Sequence, residues 1–265
     1  MLSPQQIEKF QRDGFVKGSQ VLDEAQVETL RTEMLRVIEK QDELEQNGRR
    51  KPVQIVNLTG KADNPVWQVV NIWLASEPFE QLVHNPVLAQ EAAQLTGASE
   101  LRLWHDQIQF KPAQTGGVNM WHQDSPLWPS VEPKTEQVTA WVALDDVDED
   151  NGCMRMVPGS HRWGPRMDFL NTLRDFNEMP EEFEGSPIEV VSCPVKKGEV
   201  HFHHALCWHG SGLNTSGRPR RAIALHFMTQ ATNYTGGGHV MKPYIHNEIG
   251  QKITGDMFPQ VWPQN

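Results

Sequence analysis

The chain has 265 residues, a length that fits one large domain or two small ones. Its 24 Lys and Arg residues against 34 Asp and Glu residues give a formal net charge of −10, which argues against nucleic acid or an anionic membrane as a partner. The hydrophobic fraction of 38% is enough for a sizeable core, and the aromatic residues are unevenly chosen, with nine Trp against two Tyr.

The termini and the cysteines predict a cytoplasmic protein. The first ten residues lack the basic region and the apolar run of a signal peptide, and the sequence has no run of about 18 apolar residues to span a bilayer. The C-terminal sequence VWPQN is not a peroxisomal address of the SKL type. Three cysteines at unrelated spacings predict neither a disulfide framework nor a Cys-x-x-Cys metal site.

The first third of the chain is predicted to be helical. A capping box at Ser3 and Gln6 begins one helix, which Gly14 ends. A second box at Asp23 and Gln26 precedes a stripe of apolar residues at helical spacing. The stripe is Val27, Leu30, Met34 and Val37, a further helix is predicted from Asn85-Pro86 to Thr96-Gly97, and residues 42–63 are predicted to form an irregular loop or flap.

From about residue 100 the apolar pattern changes to period two, which is typical of strands. Turn dipeptides such as Asn151-Gly152 and Lys197-Gly198 separate the strands. This order predicts one mainly β domain, a cupin-like jelly roll buttressed by the N-terminal helices. The predicted strands are 101–110, 137–144, 187–195, 199–208 and 220–228. The predicted parts are helical support (1–98), a jelly-roll core (99–231) with an insertion (161–186), and a C-terminal extension (232–265).

A His-x-Asp pair marks the first candidate site. His122 and Asp124 are two residues apart, so on an extended segment their side chains point the same way and can converge on one ion. His209, in the sequence WHGSG, is the best candidate for a third ligand. Two histidines and one carboxylate on one face leave three positions open, as in the facial triad of non-haem Fe(II) oxygenases. The His-x-Asp motif by itself has an alternative interpretation, in which the two residues are a pair on a surface loop and bind no metal.

The segment after His209 contains a candidate anion site. Alternation along strand 220–228 places Arg220 beside the small residues Ala222 and Ala224, opposite an apolar face suited to packing on helices. A planar cation in a spacious interior suits the bidentate capture of a carboxylate. Ser211, two residues after His209, can add a hydroxyl donor. An ordinary surface arginine is the alternative for Arg220, although that interpretation fits the neighbouring arginines better.

Short motifs occur in a fixed order over nearly the whole chain. They are residues 6–15 (QIEKFQRDGF), Phe110-Lys111-Pro112, His122-Gln123-Asp124, Trp141, Asn151-Gly152-Cys153, residues 158–161 (PGSH) and the segment from His209 to Arg220. Together these motifs resemble the phytanoyl-CoA dioxygenase family of Fe(II)- and 2-oxoglutarate-dependent oxygenases, and jointly they are specific. Related halogenases carry Gly or Ala in place of the aspartate, so Asp124 disfavours halogenation.

The resemblance implies a jelly-roll fold in which His122, Asp124 and His209 hold Fe(II). It also implies a reaction in which 2-oxoglutarate and O2 are consumed, succinate and CO2 are released, and a small-molecule metabolite is hydroxylated. Around the co-substrate, Arg220 is implied to hold the far carboxylate of 2-oxoglutarate with help from Ser211, and Gln109 and Trp141 occupy family positions beside the co-substrate.

Four residues are candidates for substrate contact. His105 and Gln107 share a strand face with Gln109 and are predicted to point inward. Trp128 matches a tryptophan beside the substrate in the related ectoine hydroxylases, with loop packing as an equal alternative. His203 is at an odd-numbered position like His209, so its side chain can face the same cavity. It is predicted to lie behind the metal ligands or near the substrate. Inward polar groups and indole walls suit a small polar or zwitterionic metabolite.

Three alternatives to this function stay open at the level of sequence. One is a non-catalytic jelly-roll protein that retains a metal site, and another is a Zn hydrolase on a cupin-like core. The third is an acyl-CoA hydroxylase of the same family, against which the net charge of −10 and the lack of a concentrated basic patch argue. The sequence predicts no nucleic-acid or membrane partner and does not determine the oligomeric state.

Overall fold

Helices and strands alternate early in the chain, and strands dominate from residue 101 onward. The computed structural model describes residues 1–40, 48–57, 60 and 66–264. Within these ranges the α-helices are α1 (Pro4–Asp13), α2 (Glu24–Glu39), α3 (Glu77–Val83), α4 (Pro86–Thr96) and α5 (Met167–Leu170). The strands are β1 (Phe15–Gln20), β2 (Gln54–Asn57), β3 (Trp67–Val70), β4 (Leu101–Lys111), β5 (Asn119–His122), β6 (Val131–Glu132), β7 (Gln137–Ala143), β8 (Met154–Met156), β9 (Glu182–Phe183), β10 (Ser186–Pro187), β11 (Val191–Cys193), β12 (Glu199–His204), β13 (His209–Ser211), β14 (Arg220–Thr229), β15 (Asn233–Tyr234) and β16 (Gln260–Trp262).

The predicted helix starts are confirmed in atomic detail. The side chains of Ser3 and Asp23 accept hydrogen bonds from the backbone N–H groups of Gln6 and Gln26, whose side chains bond back to the caps. Gly14 ends α1 in the left-handed region at φ 84°, which a glycine adopts without steric cost. The predicted helix near residue 90 is confirmed as α4. Within the described residues, none of the helices combines the length and the apolar character that crossing a bilayer requires.

Two antiparallel sheets form the jelly-roll core, which confirms the predicted fold class. The larger sheet has the strand order β1-β12-β7-β14-β4-β3-β2, with β16 also paired to β4, and the smaller sheet has the order β11-β8-β13-β5. The long strand β14 pairs with β4 on one side and β7 on the other. These pairings bring strands that are far apart in sequence into contact around one interior.

The first third of the chain also supplies strands, which the sequence did not predict. β1 pairs with β12 and β3 pairs with β4, so both extend the larger sheet. Their partners lie far along the chain, and the pairing overrides the weak local pattern of such short segments. β2 falls inside the predicted loop or flap of residues 42–63. Of the remainder of that loop, residues 42–47, 58, 59 and 61–63 lie outside the described residues.

Apolar side chains pack around the strands in three clusters. Ile223, Leu225 and Phe227 of β14 face the cluster formed with the helices, whereas Ala222 and Ala224 face the cluster between the sheets. This confirms the predicted division of the strand into two faces. The third cluster lies against the predicted insertion, which contains α5 and the β9–β10 hairpin.

The insertion anchors two strands through tryptophans. Trp121 stacks on Phe176 with ring centroids 5.1 Å apart and donates its indole N–H to the backbone carbonyl of that residue at 2.8 Å. Trp208 is fully buried among aromatic rings of the insertion. Since Trp121 directly precedes His122 and Trp208 directly precedes His209, the insertion holds both histidine-bearing strands from their outer face.

Candidate metal centre and co-substrate pocket

Two neighbouring strands bring the three predicted metal ligands together. His122 ends β5, His209 begins β13, and these two residues are register partners in the antiparallel ladder. Asp124 follows β5 in the next turn, where its backbone N–H donates to the carbonyl of Ala205 at 2.9 Å. One nitrogen of each histidine and one carboxylate oxygen lie within 4.8 Å of one another. The spacing is therefore small enough for all three groups to bind one ion.

Backbone carbonyls determine which ring nitrogen of each histidine faces the site. Nδ1 of His122 lies 2.7 Å from the carbonyl oxygen of Met120, and Nδ1 of His209 lies 2.9 Å from that of Cys207. A carbonyl oxygen only accepts, so both Nδ1 atoms carry a hydrogen, and each ring in its neutral form has its lone pair on Nε2. These Nε2 atoms lie 3.8 Å and 3.5 Å from Oδ1 of Asp124. Neutral imidazoles in this tautomer are suited to metal ligation.

One oxygen of Asp124 is held by the protein and the other faces the histidines. Oδ2 accepts hydrogen bonds from the Thr139 hydroxyl at 2.7 Å and from Nε2 of His203 at 3.1 Å. The Thr139 oxygen in turn accepts from Nδ1 of His226 at 2.8 Å. Burial opposes ionisation of Asp124, but the neighbouring His209 and the bond from His203 outweigh it and hold the pKa well below its usual range.

This donor set fits a divalent metal ion. Two imidazole nitrogens and one carboxylate oxygen converge, and further hydrogen bonds orient each ligand, as is usual around protein-bound metals. Thr139 is a functional candidate that the sequence analysis missed. The available signal was its position two residues before Trp141, since alternation along β7 directs both side chains into the same interior.

Arg220 lines a cleft beside the metal-ligand candidates, and this cleft shares Gln109 and Asn119 with the pocket that contains them. The Arg220 side chain is 1% exposed, and Nη2 donates to Oγ of Ser211 at 3.1 Å. Nε and Nη1 are buried and have no hydrogen-bond partner among the described residues. The guanidinium lies over the ring of Trp141, 5.4 Å from its centroid. Unpartnered buried donors are costly, so this arrangement fits a bound carboxylate, as 2-oxoglutarate would supply.

Lys111 lies beside Arg220 and was not predicted as a site residue. Its Nζ donates to the carbonyl oxygen of Ser211 at 3.1 Å, to the hydroxyl of Ser211 at 2.7 Å and to the carbonyl oxygen of Gly212 at 2.7 Å. The signal was present in the sequence, because the alternation that directs Gln107 and Gln109 inward continues to Lys111.

Gln109 and Trp141 contact each other inside the pocket. The indole N–H of Trp141 donates to Oε1 of Gln109 at 3.0 Å. An indole nitrogen can only donate, so the amide is fixed with its NH2 group available to a ligand. A single pocket includes the metal-ligand candidates and this pair; its lining includes His122, Asp124, His209, Thr139, Trp141, His203, Ser211 and Gln109.

The predicted substrate contacts occupy three different environments. His203 lines the pocket and donates to Asp124, whereas Gln107 lies in an adjoining cleft that also includes Gln109. His105 and Trp128 are 2% and 5% exposed and pack edge to face with ring centroids 5.5 Å apart. As far as the described residues go, these two rings form part of the packed interior and not of the pocket lining.

Comparison with known sequences yields a family match. The family model described as Phytanoyl-CoA dioxygenase (PhyH) matches residues 10–222. The peroxisomal phytanoyl-CoA dioxygenase of Bos taurus is 25% identical over 257 residues, which are 94% of this chain and 75% of that protein. The ectoine dioxygenase of Bordetella bronchiseptica is 27% identical over 244 residues, which are 84% of this chain and 74% of that protein.

Solved structures of similar fold cover almost the whole chain. The non-haem alpha-ketoglutarate-dependent carbocyclase SnoK from nogalamycin biosynthesis superimposes with a TM-score of 0.77 at 27% identity, covering 98% of this chain and 96% of its own. The epimerase SnoN, in complex with Fe3+, alpha-ketoglutarate and nogalamycin RO, has a TM-score of 0.73 at 25% identity, covering 97% of each chain.

Proposed function

We propose, on the premise that this chain belongs to the phytanoyl-CoA dioxygenase family, that it hydroxylates a small polar metabolite at a centre formed by His122, Asp124 and His209. The enzyme is an Fe(II)- and 2-oxoglutarate-dependent dioxygenase. The observation that carries the site assignment is the pair of unpartnered donors on Arg220, buried in the interior that also holds the convergent ligand cluster. We call Arg220 with Ser211 the clamp. A protein that merely retained a metal site would have no need for it.

The spacing along β13 supports the assignment of the co-substrate site. His209 and Ser211 are two residues apart on the strand, which corresponds to about 7 Å. A five-carbon dicarboxylate is of similar length, so one end can lie at the metal while the other reaches Arg220. Gln109 adds an oriented amide donor along the same wall.

The chain's own residues bind and orient the reactants. His122, Asp124 and His209 would hold Fe(II), and Arg220 with Ser211 would hold the distal carboxylate of 2-oxoglutarate. Bound together, the metal, the co-substrate and O2 supply the oxidative decarboxylation that yields succinate and CO2 and oxidises the substrate. The protein contributes position and limits the access of water, because Asp124, His209 and Arg220 are buried.

The substrate class follows from the groups at the pocket and its adjoining cleft. Gln68, Gln107, Gln109 and Asn119 present neutral amides there. Neutral amides donate and accept hydrogen bonds without demanding a charge on the ligand, which suits the hydroxyl, carbonyl or amide groups of a small polar metabolite. The net charge of −10 continues to argue against attraction of a polyanionic acyl-CoA.

The test is turnover of 2-oxoglutarate by the Fe(II)-loaded protein with ascorbate and a panel of small polar metabolites. We expect substrate-dependent succinate release and a product that gains one oxygen atom by mass spectrometry. Because SnoK is a carbocyclase and SnoN an epimerase, loss of two hydrogens or an unchanged mass would replace hydroxylation by one of those outcomes. Failure of the wild-type protein to bind 2-oxoglutarate and to release succinate would reject the proposal.

A further inference from the structure

His226 lies on the wall of the pocket that contains the metal-ligand candidates. It is 4% exposed and belongs to β14, where alternation places it on the same face as Arg220. The two residues are six positions apart on this strand, which corresponds to about 20 Å. A 2-oxoglutarate molecule whose distal carboxylate binds Arg220 is much shorter than this, so His226 is available to a different ligand.

Two aromatic neighbours hold the ring of His226 in place. His105, its register partner on β4, and Trp128 pack edge to face against it, with ring centroids 4.6 Å and 4.8 Å away. The ring has a hydrogen bond at Nδ1, to the hydroxyl oxygen of Thr139 at 2.8 Å. Its other nitrogen, Nε2, has no hydrogen-bond partner among the described residues, yet it is not sealed from open space as the unpartnered Nε2 of His105 is. Because His226 lines the pocket, that open space is the pocket itself.

Two successive hydrogen bonds from Asp124 determine the tautomer of His226. Oδ2 of Asp124 accepts the hydroxyl hydrogen of Thr139 at 2.7 Å, since an ionised carboxylate can only accept. The Thr139 oxygen is then left as an acceptor, so Nδ1 of His226 carries the hydrogen between them. A second hydrogen, on Nε2, would meet no acceptor in the described part of the chain. The neutral ring with its lone pair on Nε2 is therefore favoured.

We propose that His226 is a specificity-determining residue whose Nε2 accepts a hydrogen bond from the substrate. The substrate then carries an O–H or N–H donor on the part that lies beside Asp124. The amides of Gln107 and Gln109 can either donate or accept, whereas Nε2 of His226 only accepts and so demands a donor. An aliphatic chain or an ether would leave this nitrogen unpaired, at a cost in affinity. This inference deepens the proposed function and rests on it, because it takes the pocket as the substrate site.

Nitrogen-15 NMR of the histidine rings tests the acceptor without turnover, in the Zn(II)-loaded protein with 2-oxoglutarate. The signals of His226 are assigned by their loss in His226→Phe and by nuclear Overhauser contacts to Trp128, which need no variant. We expect a hydrogen on Nδ1 and none on Nε2 at neutral pH. N-methylacetamide, which has an N–H donor, should shift the Nε2 resonance, whereas N,N-dimethylacetamide, which has none, should leave it in place.

Variants of Thr139 separate the tautomer of His226 from the packing around its ring. Thr139→Val keeps the shape of the side chain and removes the oxygen that accepts from Nδ1. The ring should then lose its fixed tautomer and show nitrogen signals averaged between the two neutral forms. Thr139→Ser retains the hydroxyl and should keep the wild-type spectrum.

Turnover measures how much the acceptor contributes to specificity. For a metabolite accepted by the wild type, we expect His226→Phe to lower kcat/KM about tenfold or more and to leave the Kd of 2-oxoglutarate unchanged. The same metabolite methylated at its donor should be a poor substrate of the wild type and should lose no further activity in the variant. His105→Phe is the matched control, because His105 is similarly buried in the same row of the sheet but does not line the pocket. It should keep wild-type kinetics, and a melting curve checks that each variant is folded.

The outcomes separate the inference from the proposed function. A hydrogen on Nε2 of His226, or a shift caused equally by both amides or by neither, would overturn the inference and leave the proposed function standing. Weaker binding of 2-oxoglutarate in His226→Phe would assign this residue to the co-substrate and would also overturn it. If the wild type binds no 2-oxoglutarate and releases no succinate, the proposed function is wrong and the inference falls with it.

Discussion

His122 and His209 face each other as register partners on two antiparallel strands, with ring centroids 4.1 Å apart. Their separation is thus set by the backbone ladder and not by flexible loops. Each ring is further oriented by a carbonyl two residues before it in the chain. A site of this kind is preformed, which lowers the entropic cost of binding a metal.

Removal of one ligand should abolish metal binding. We expect His122→Ala to weaken Fe(II) or Zn(II) binding by more than the roughly 10- to 100-fold typical of residues that only orient ligands. His204→Ala is the control, because His204 lies at the end of β12 and its Nδ1 accepts from the backbone of Leu206. Metal content after dialysis and calorimetry measure the effect. Wild-type affinity in His122→Ala would contradict the ligand assignment.

The hydroxyl of Thr139 should support the metal through Asp124. Thr139→Val keeps the shape but removes the hydrogen bond to Oδ2, so we expect metal affinity to fall by about 10- to 100-fold. Thr139→Ser retains the hydroxyl and should stay close to the wild type. If both variants bind metal equally well, the orienting role is wrong.

Loss of the clamp should affect the co-substrate and leave the metal in place. Arg220→Ala removes charged donors at a buried position, and we expect 2-oxoglutarate binding to weaken by about 3 kcal/mol. Arg218→Ala is the control, since Arg218 is exposed and pairs with Asp148 at the surface. Titration of the Zn(II)-loaded variants is the measurement. Unchanged affinity in Arg220→Ala would place the distal carboxylate elsewhere.

The tryptophan before the second histidine should matter for stability. Trp208 is fully buried against the insertion, and Trp208→Leu leaves a cavity, so we expect the free energy of unfolding to fall by about 3 kcal/mol. Leu213→Ala is the control, because this side chain is 56% exposed. Denaturant unfolding followed by fluorescence and circular dichroism checks both. A loss smaller than that in the control would show that the insertion does not support β13.

The three cysteines should be unreactive in the native protein. All are buried free thiols, and burial raises the pKa of Cys207 to about 12 and raises those of Cys153 and Cys193 as well. Since the thiolate is the reactive form, a thiol reagent at about pH 8 should label none of them until denaturant is added. Mass spectrometry after labelling counts the modified thiols, and a modified native protein would indicate an opening that exposes one of the clusters.

The local pattern of the sequence determined several features of this protein. Capping boxes at Ser3 and Asp23 specified two helix starts, and period-two alternation specified the inward face of β14 with Arg220. The spacing also predicted that His122 and Asp124 come together, which they do, although Asp124 lies in the turn after β5 and not on an extended segment. These features depend on neighbours within a few residues, because caps, alternation and short spacings are set by the geometry of the backbone itself.

Only the tertiary structure decided which distant groups meet. That Thr139 and His203 hold Asp124, and that Lys111 reaches Ser211 a hundred residues away, depends on the strand order and register of two sheets. A shift of one residue in any pairing would turn each of these side chains to the opposite face. For the same reason the inward pattern of β4 did not distinguish the pocket-lining Gln109 from the packed His105, because burial depends on what the opposite strand and helix place against it.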